Sequence, residues 1–490
     1  MKSKTIKRVT KLNFLFFLIF FTISCKKNIP LNPPDPSKNF RNLTILYTND
    51  EHGWMEATTT HGGAAGMVGL WKEKEGYTES GPYLILSGGD MWTGPAISTW
   101  THGEAMAQVM NAMDYSAAAI GNHEFDFKVE GLMERLEQSE FPFLSANIKS
   151  KTTGEIPDFA MPYLIKEVND IKIGIIGLTT TTTPLSTFPD HVKDFDFINY
   201  ADALQEVVPK AKQDGAELLV IAGHICAGEI RALIPIAKEL GISVIGGGHC
   251  HRVVNDSLNG IAIIESGSYM QGYAKVELVF DTAGDTVVSK KQDVVENIGG
   301  SPDPEISTIV TYWQGQTNAT LSEVIGYAKA EINRHSNGMH NMVTDSWLFA
   351  YPAADISCTN AGGIRQSIPA GDITLGTIVG VLPFENNIIE LELTGTEIKD
   401  VTDDMHDLIV GGMTKNGFKL DDGTPLEDNK TYRVLTTDYL YARSDNNFSL
   451  YDTDPYYTSI LYRQPTIDWI KSLNTSAANP LDQYLDHTPR

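Results

Sequence analysis

Polar side chains that commonly bind metal ions follow five short apolar runs of the sequence. The apolar runs are residues 43–47, 83–87, 116–120, 218–222 and 242–245. The polar residues that follow these runs are Asp50, His52, Asp90, Asn122, His123, His224, His249 and His251. Short β-rich runs bounded by glycine are typical of buried strands, and the carboxyl ends of such strands meet at one edge of an open α/β sheet. The sequence therefore predicts an α/β fold with a metal centre at one sheet edge.

The number and type of these ligands indicate phosphoester chemistry. A single catalytic zinc-like ion needs about three protein ligands and an open position, so the set is too large for one ion. Two ions roughly 3.5–4 Å apart, sharing a carboxylate, bind the attacking and leaving oxygens of a displacement and activate bound water. Nitrogen and oxygen donors without a cysteine pair suit Zn, Mn, Fe, Co or Ni. The prediction is two divalent metal ions, with no choice among these elements.

Each cluster alone has a simpler interpretation, because a loop Asp beside a glycine usually turns or caps the backbone. Five clusters placed alike after predicted strands favour the metal interpretation. The other histidines lack this placement and are predicted to be surface or structural residues; examples are His61, His102, His191, His406 and His487.

The motifs that contain these residues carry a resemblance to a known family. They are T-N-D-E-H-G (48–53), G-G-D (88–90), G-N-H-E-F-D (121–126), G-H-I-C-A-G (223–228) and G-G-H-C-H (247–251). They resemble the signature motifs of the calcineurin-like metallophosphoesterases. In the identity of their residues they most resemble the motifs of the 5′-nucleotidase family. The resemblance continues through N-A-G-G-I-R (360–365), V-L-P-F (381–384) and the pair Tyr439 and Asp445.

The resemblance implies a role for each residue of the metal clusters. The ligands of one metal would be Asp50, His52, Asp90 and His251. The ligands of the other would be Asp90, Asn122, His224 and His249, with Asp90 as the bridge. His123 would be a catalytic residue rather than a ligand, stabilising charge on the phosphoryl group and assisting the leaving oxygen, with Asp126 orienting its ring.

The resemblance also implies the fold class and the residues that bind substrate. It implies a two-domain α/β protein, in which an N-terminal metallophosphoesterase β-sandwich flanked by helices precedes a C-terminal α+β substrate domain. The implied substrate-binding residues are Asn360, Arg365, Phe384, Tyr439 and Asp445. The alternative for the two aromatic residues is ordinary core packing. Arg443 and Ser444 replace the glycines that the family has before Asp445, and Arg334 only approximately matches a phosphate-binding arginine.

The chain divides at changes in composition. Residues 43–297 alternate strands with helical patterns, for example at 104–113 and 201–213. Residues 298–325 form a Gly- and Pro-rich linker followed by a predicted bridging helix over 305–325. Residues 326–490 form the predicted second domain, with a helix over 343–349 and strands over 388–395 and 431–437.

The first residues resemble a bacterial lipoprotein signal. Residues 1–24 combine five basic side chains with a short apolar core, followed by Cys25. The alternatives are an ordinary signal peptide or a short membrane anchor. Residues 25–42 are then the lipidated cysteine and a proline-rich linker. We expect an extracytoplasmic protein, in the periplasm or at the cell surface, whose only attachment to the membrane is the lipid.

The net charge of the chain restricts its possible partners, and the number of cysteines restricts their possible pairing. Without residues 1–24 the chain has 33 Lys and Arg against 62 Asp and Glu, a net charge of −29. This argues against nucleic acid as a partner, because nucleic-acid binding needs clustered basic side chains. Cys226, Cys250 and Cys358 are an odd number after Cys25, and we expect Cys226 and Cys250 to be buried structural thiols.

The sequence thus predicts a 5′-nucleotidase that acts on extracytoplasmic nucleotides by in-line attack of metal-activated water. The alternatives within the fold are a nucleotide-sugar diphosphatase, a 2′,3′-cyclic-nucleotide phosphodiesterase and a thiosulfate-ester hydrolase. A nucleotide-binding lipoprotein without catalysis is the alternative from another class. The sequence carries no inference about oligomeric state.

Overall fold

The computed structural model describes residues 39–490. The predicted signal peptide, Cys25 and residues 26–38 of the predicted linker lie outside the described residues. Among residues 39–490, no helix has both the length and the apolar composition needed to cross a bilayer.

Two six-stranded sheets make up the centre of the first half of the chain. The strands in this half are β1 Phe40–Thr48, β2 Tyr83–Ser87, β3 Ala117–Ala119, β4 Phe143–Leu144, β5 Ile148–Ser150, β6 Tyr163–Val168, β7 Ile171–Thr179, β8 Phe195–Phe197, β9 Leu218–His224, β10 Ile242–Gly246, β11 Val253–Leu258, β12 Ile261–Ser266, β13 Gly272–Asp281 and β14 Thr286–Glu296. The first sheet has the order β14-β13-β1-β2-β3-β4 and the second β11-β12-β10-β9-β7-β6. Strands β5 and β8 form a separate antiparallel pair.

The two sheets pack face to face as a sandwich. Successive side chains of a strand point to opposite faces. Ile45 and Tyr47 of β1 therefore enter the core between the sheets, where they meet Ile173 and Ile175 of β7. Leu46 points to the outer face of the first sheet. The β-sandwich implied by the resemblance is confirmed.

Helices cover both outer faces of the sandwich. The helices of this half are α1 Gly63–Lys74, α2 Ala96–Thr99, α3 Glu104–Ala112, α4 Lys128–Gln138, α5 Thr183–Ser186, α6 Pro189–Val192, α7 Tyr200–Gln213 and α8 Ala227–Leu240. Apolar residues of α1, α3 and α4 pack on the first sheet, and those of α7 and α8 pack on the second. The helical patterns predicted over 104–113 and 201–213 correspond to α3 and α7.

The second half is a mixed α+β unit. Its elements are α9 Pro304–Leu321, β15 Val324–Ala328, α10 Asn337–Ala350, β16 Ile356–Asn360, β17 Gly371–Thr374, α11 Leu375–Val381, β18 Asn387–Thr394, α12 Gly395–Asp404, β19 Leu408–Gly411, β20 Met413–Thr414, β21 Lys419–Leu420, β22 Thr431–Thr437, α13 Asp438–Ala442, α14 Phe448–Tyr451, β23 Tyr456–Leu461 and α15 Gln464–Ser472. Five of the strands form a sheet of order β19-β16-β22-β18-β23. The predicted strands over 388–395 and 431–437 are β18 and β22, and the helix over 343–349 is the second part of α10.

Helix α9 connects the two halves. It starts where the Asp303 side chain accepts hydrogen bonds from the backbone N–H groups of Glu305 and Ile306, a capping arrangement that satisfies two free donors. Ile306 and Val310 of α9 pack into the core between the first sheet and its helices. A helix is therefore present in the region predicted to bridge the two halves, but it ends at Leu321 rather than at residue 325, and it packs on the first half of the chain.

Candidate metal centre and active-site cleft

The predicted metal ligands come together from two sheets. Strands β1, β2 and β3 of the first sheet lead to Asp50, Asp90 and Asn122, and the neighbouring parallel strands β9 and β10 of the second sheet lead to His224 and His249. The prediction that all ligands lie at the edge of one sheet is wrong. The carboxyl ends of parallel strands in both layers of the sandwich meet at one end, and this brings the ligands together.

Five of these residues have a backbone conformation that non-glycine residues rarely adopt. The φ angles are 51° at Asp50, 45° at His52, 59° at Asp90, 70° at His249 and 52° at His251. Positive φ in a non-glycine residue costs free energy and persists only where the surroundings impose it. Such strain at adjacent loop ends is typical of functional sites.

The side chains form two groups, and Asp90 of the second group lies close to His52 of the first. In the first, His251 Nε2 is 3.3 Å from Asp50 Oδ1 and 3.2 Å from His52 Nε2. In the second, His224 Nε2 is 3.0 Å from Asp90 Oδ2, which is 3.8 Å from His52 Nε2. Potential ligand atoms lie within 4.8 Å of one another in each of the groups Asp50, His52, His251 and Asp90, His224, His249.

Hydrogen bonds to the outer nitrogens of two imidazoles direct their lone pairs into these groups. His52 Nδ1 is 2.9 Å from the Thr93 carbonyl oxygen, and His224 Nδ1 is 2.8 Å from the Gly88 carbonyl oxygen. A neutral imidazole has one N–H group, so donation from Nδ1 leaves Nε2 as an acceptor. The Asn122 Oδ1 atom, also an acceptor, is 3.2 Å from His224 Nε2. Burial lowers the pKa of His224, but the Asp90 carboxylate outweighs burial and raises it to about 10, so a cation that binds at His224 Nε2 would displace a proton. Once that proton has left, facing acceptors of this kind fit divalent cations.

Electrostatics support ionised Asp90 and neutral His249. Burial raises the pKa of Asp90, but the imidazoles of His224, His123 and His52 outweigh this effect and hold its pKa well below the usual range. Burial, aided by His224, lowers the pKa of His249 to about 4, so that its lone pair is available near neutral pH.

His123 and Asp126 form the pair that the resemblance implies. His123 Nδ1 is 2.8 Å from Asp126 Oδ2, and the His123 backbone N–H donates to Asp90 Oδ1 at 2.9 Å. Burial lowers the pKa of His123, but the carboxylates of Asp126 and Asp90 raise it above its ordinary value overall. His123 is also within ligand distance of His52 and Asp90, so geometry alone allows either a catalytic or a ligand role.

Glu124 is a buried residue of the site that the sequence analysis did not single out. Its carboxylate accepts hydrogen bonds from the backbone N–H groups of Asp90 at 2.8 Å, Met91 at 2.7 Å and Gly121 at 2.6 Å. It therefore ties the loop after β2 to the loop after β3. The available signal was its position inside G-N-H-E-F-D, where it directly follows the candidate residues Asn122 and His123.

Cys226 and Cys250 form a disulfide with a Cα–Cα distance of 5.3 Å. The prediction of buried structural thiols is wrong for both residues. The ends of the neighbouring parallel strands β9 and β10 bring the two cysteines together, and Cys250 is exposed. Cys358 is buried and free, which accounts for the odd number among the residues that the structure describes.

A cleft of about 1370 Å³ extends from the metal ligands between the two halves of the chain. Four predicted substrate-binding residues line it: Asn360, Arg365, Phe384 and Tyr439. Arg365 Nη2 is 3.2 Å from His52 Nε2, and the Phe384 ring stacks on the His123 ring with centroids 5.6 Å apart. The Tyr439 hydroxyl donates to the Leu185 carbonyl oxygen at 3.0 Å, across the two halves.

Asp445 is bound by its neighbour. Arg443 Nε donates to Asp445 Oδ1 at 2.7 Å and Arg443 Nη2 pairs with Asp445 Oδ2. The guanidinium carbon lies 5.6 Å from the centre of the Tyr439 ring, and Arg443 rather than Asp445 lines the cleft. Arg334 does not line the cleft and instead donates to the Arg365 carbonyl oxygen at 2.7 Å.

The rest of the cleft is acidic and contains two further histidines. Its carboxylates other than Asp90 are Asp126, Glu130, Asp190, Asp194, Glu385, Asp407 and Asp438, against Lys128, Arg365 and Arg443. His102 and His191, predicted to be surface or structural, line the cleft wall. Both also make structural contacts, because His102 stacks on Phe127 and His191 Nδ1 lies 2.8 Å from the Phe125 carbonyl oxygen.

Two family models together cover both halves of this architecture. Residues 43–253 match calcineurin-like phosphoesterase, and residues 315–416 match the 5′-nucleotidase C-terminal domain. The chain belongs to the 5′-nucleotidase family of calcineurin-like metallophosphoesterases. Protein UshA of Escherichia coli is a relative with 28% identity over 85% of this chain and 88% of UshA. Human 5′-nucleotidase is 28% identical over 74% of this chain and 72% of the human protein.

Solved structures show the same fold. A 5′-nucleotidase precursor of Thermus thermophilus matches with a TM-score of 0.77 and 24% identity, over 89% of this chain and 97% of that one. The sulfate thiohydrolase SoxB of Thermus thermophilus matches with a TM-score of 0.70 and 17% identity, over 88% and 94% of the two chains. As a 5′-nucleotidase family member, the chain is a metal-dependent phosphoester hydrolase, and its clustered His and Asp residues are candidate sites for divalent metals.

Proposed function

We propose that this protein is an extracytoplasmic 5′-nucleotidase that uses two divalent metal ions. The observation that carries the proposal is the meeting of two kinds of group in one cleft. Arg365 lies 3.2 Å from the metal ligand candidate His52, while the rings of Phe384 and Tyr439 line the same cleft. A phosphate beside a planar base matches this combination of a guanidinium with aromatic rings.

The metal ions would be held by the two groups of ligands. One group is Asp50, His52, Asp90 and His251, and the other is Asp90, Asn122, His224 and His249. When bound, two such ions supply Lewis acidity and lower the pKa of water. Their elements stay open among Zn, Mn, Fe, Co and Ni.

The proton needed by the leaving group would come from His123. In nucleotide hydrolysis the bond between phosphorus and the 5′-oxygen of the nucleoside breaks, and this oxygen takes up a proton. Asp126 holds Nδ1 of His123 at 2.8 Å, so that Nε2 is the nitrogen available for proton transfer. The carboxylates that raise the pKa of His123 favour its protonated form, as a general acid requires.

The nucleoside would bind to the second half of the chain. Asn360 and Arg365 would contact the phosphate side of the substrate, and Phe384 and Tyr439 the base. Stacking on a planar base is worth about 1–3 kcal/mol and tolerates any base. Asp445 would contact the ribose, but it must share its carboxylate with Arg443.

The test is a hydrolysis panel with metal-reconstituted protein, comparing AMP, UMP, UDP-glucose, 2′,3′-cyclic AMP, a thiosulfate ester and p-nitrophenyl phosphate. We expect release of phosphate from AMP and UMP with lower KM than from p-nitrophenyl phosphate. Equal KM values for nucleotides and the aryl phosphate would contradict the nucleotide assignment. Absence of any metal-dependent turnover with retained nucleotide binding would indicate a binding protein.

A nucleotide-sugar diphosphatase is the second candidate, and the size of the cleft favours it. Small-molecule pockets are usually about 300–1,000 Å³, and this cleft of about 1370 Å³ exceeds that range. Hydrolysis of UDP-glucose with a higher kcat/KM than UMP would establish this alternative.

The proposed location is outside the cytoplasm. The Cys226–Cys250 disulfide supports an oxidising compartment, since disulfides are rare in the cytosol. The cell wall protein Lmo0130 of Listeria monocytogenes is a relative, 23% identical over 82% of this chain. Lipidation of Cys25 remains a proposal, and mass spectrometry of the N-terminal peptide from wild-type and Cys25→Ala protein tests it.

A further inference from the structure

The Cys226–Cys250 disulfide lies among the metal ligand candidates of the second sheet. Cys226 is two residues after His224, and Cys250 lies directly between His249 and His251. Strands β9 and β10 are parallel neighbours with Ala222 opposite Gly246. The disulfide therefore joins the two segments that leave these strands and carry three ligand candidates.

The segment that carries His249 and His251 has a particular need for such a link. Both residues have positive φ, of 70° and 52°. Within residues 39–490, neither ring donates to a backbone carbonyl, in contrast to the rings of His52 and His224. The His249 ring has a 3.4 Å contact with Thr182 Oγ1 and an edge contact with the His224 ring.

The backbone of this segment is held at a few points. The Gly248 N–H donates to the Ile225 carbonyl oxygen at 3.1 Å, and the His249 N–H donates to both Asp50 carboxylate oxygens at 3.0–3.1 Å. The contact with Asp50 involves a ligand candidate that a cation would also attract. The amide hydrogen bond with Ile225 is therefore joined by a second connection to the end of β9, the disulfide. This covalent connection does not involve the metal-binding groups.

We propose that the Cys226–Cys250 disulfide is a positioning element for the metal ligands His249 and His251, and that its reduction weakens metal binding while the protein stays folded. A dithiol reductant would transfer two electrons and two protons, so that the S–S bond becomes two thiols and the reductant becomes a disulfide. The freed segment would then sample conformations in which the two imidazoles do not meet the other ligands. Outer groups that orient ligands typically contribute about 10- to 100-fold in metal affinity.

The experiment compares Mn²⁺ binding by three proteins prepared without metal: wild type, Cys226→Ala/Cys250→Ala, and the matched control Cys358→Ala, which removes the free buried thiol. Titration calorimetry is done below the unfolding temperature, with folding checked by circular dichroism. Mn²⁺ is the probe because thiols bind it poorly compared with zinc. We expect a Kd about 10- to 100-fold weaker in the double variant, and wild-type affinity in the control.

Reduction of wild-type protein with dithiothreitol provides a second measurement, which remains available if the double variant does not fold. We expect weaker Mn²⁺ binding on reduction, recovery on reoxidation, and kcat for p-nitrophenyl phosphate near the oxidised value at saturating Mn²⁺. A lower melting temperature with unchanged Mn²⁺ affinity would show a purely structural disulfide and overturn the proposal, as would unfolding on reduction.

The inference rests on the metal centre of the proposed function, and the two can fail separately. Weaker Mn²⁺ binding on reduction, without hydrolysis of nucleotides, would sink the 5′-nucleotidase assignment and support the positioning role. Nucleotide hydrolysis with Mn²⁺ affinity that does not respond to reduction would do the reverse.

Discussion

Asp90 is the proposed bridge between the two metal ions, with Oδ2 at 3.0 Å from His224 Nε2 and 3.8 Å from His52 Nε2. We expect Asp90→Ala to lose activity and metal at both positions, because each ion loses a ligand. Elemental analysis of the folded variant measures this. Asp256→Ala, which removes an exposed carboxylate paired with Arg231, is the control. Two metal ions per chain in Asp90→Ala would rule out the bridge.

His123 is expected to contribute to the rate of turnover and not to metal binding. His123→Ala should keep both metals and slow turnover by roughly 10²–10⁴, the range for lost general acid–base assistance. Steady-state kinetics and metal analysis are compared on the same sample. His191→Ala changes another histidine of the cleft wall and should leave kcat close to wild type. A parallel fall of metal content and rate in His123→Ala would make His123 a ligand.

Tyr439 is expected to contribute to the binding of nucleotides but not to the binding of a small aryl phosphate. Tyr439→Ala should raise KM for AMP by about 5- to 150-fold, since one stacking face is worth about 1–3 kcal/mol, with little change for p-nitrophenyl phosphate. Tyr439→Phe is the matched variant, because it keeps the ring and removes the hydroxyl that donates to Leu185. Equal losses on both substrates would show that Tyr439 is a packing residue.

At the scale of residues, the sequence predicted which residues form the site better than it predicted which side chains pair with each other. The ligand candidates were found because each follows a strand, which is a local property. The Cys226–Cys250 disulfide was missed because it depends on β9 and β10 being neighbours, a property of the whole sheet. The pairing of Asp445 with Arg443 is likewise set by the folded loop and not by the motif.

At the scale of elements, Glu124 joins two strand ends through three backbone N–H groups. Leaving a buried donor without a partner costs about 1–3 kcal/mol. Because Glu124→Ala leaves three donors without this acceptor, it should lower the free energy of unfolding by several times the cost of one donor. Glu124→Gln retains an acceptor oxygen and should lose less. Denaturant unfolding measures both, with the exposed Glu130→Ala as control. Equal losses in the Gln and Ala variants would argue against the role of these hydrogen bonds.

The elements also show where sequence reasoning stops. Short apolar runs predicted β1, β2, β9 and β10, because burial on both faces selects such runs. The apolar runs do not indicate which strands belong to which of the two sheets. That assignment depends on packing between residues far apart in the sequence, such as those of β1 and β7 in the central core.

At the scale of the whole molecule, the two halves meet through polar contacts around the cleft. His102 Nε2 is 3.4 Å from Glu385 Oε1, Arg365 reaches His52, and the Tyr439 hydroxyl reaches Leu185. Each contact joins a residue of the first half to one of the second. The predicted substrate-binding side chains therefore lie beside the predicted metal ligands, and both domains line one cleft.

The surplus of carboxylates along the cleft has a consequence for how quickly a nucleotide is captured. An anion approaching this acidic protein meets a repulsive long-range field, and dissolved salt weakens it by shortening the Debye length from about 30 Å at 0.01 M to about 8 Å at 0.15 M. We expect kcat/KM for AMP to rise over this range of ionic strength while kcat stays constant, as measured by steady-state kinetics in an inert chloride salt at saturating metal. A fall in kcat/KM would mean that the metal ions dominate the field at the entrance. Capture of substrate should thus be activated by salt, opposite to the response of basic surfaces that bind phosphates.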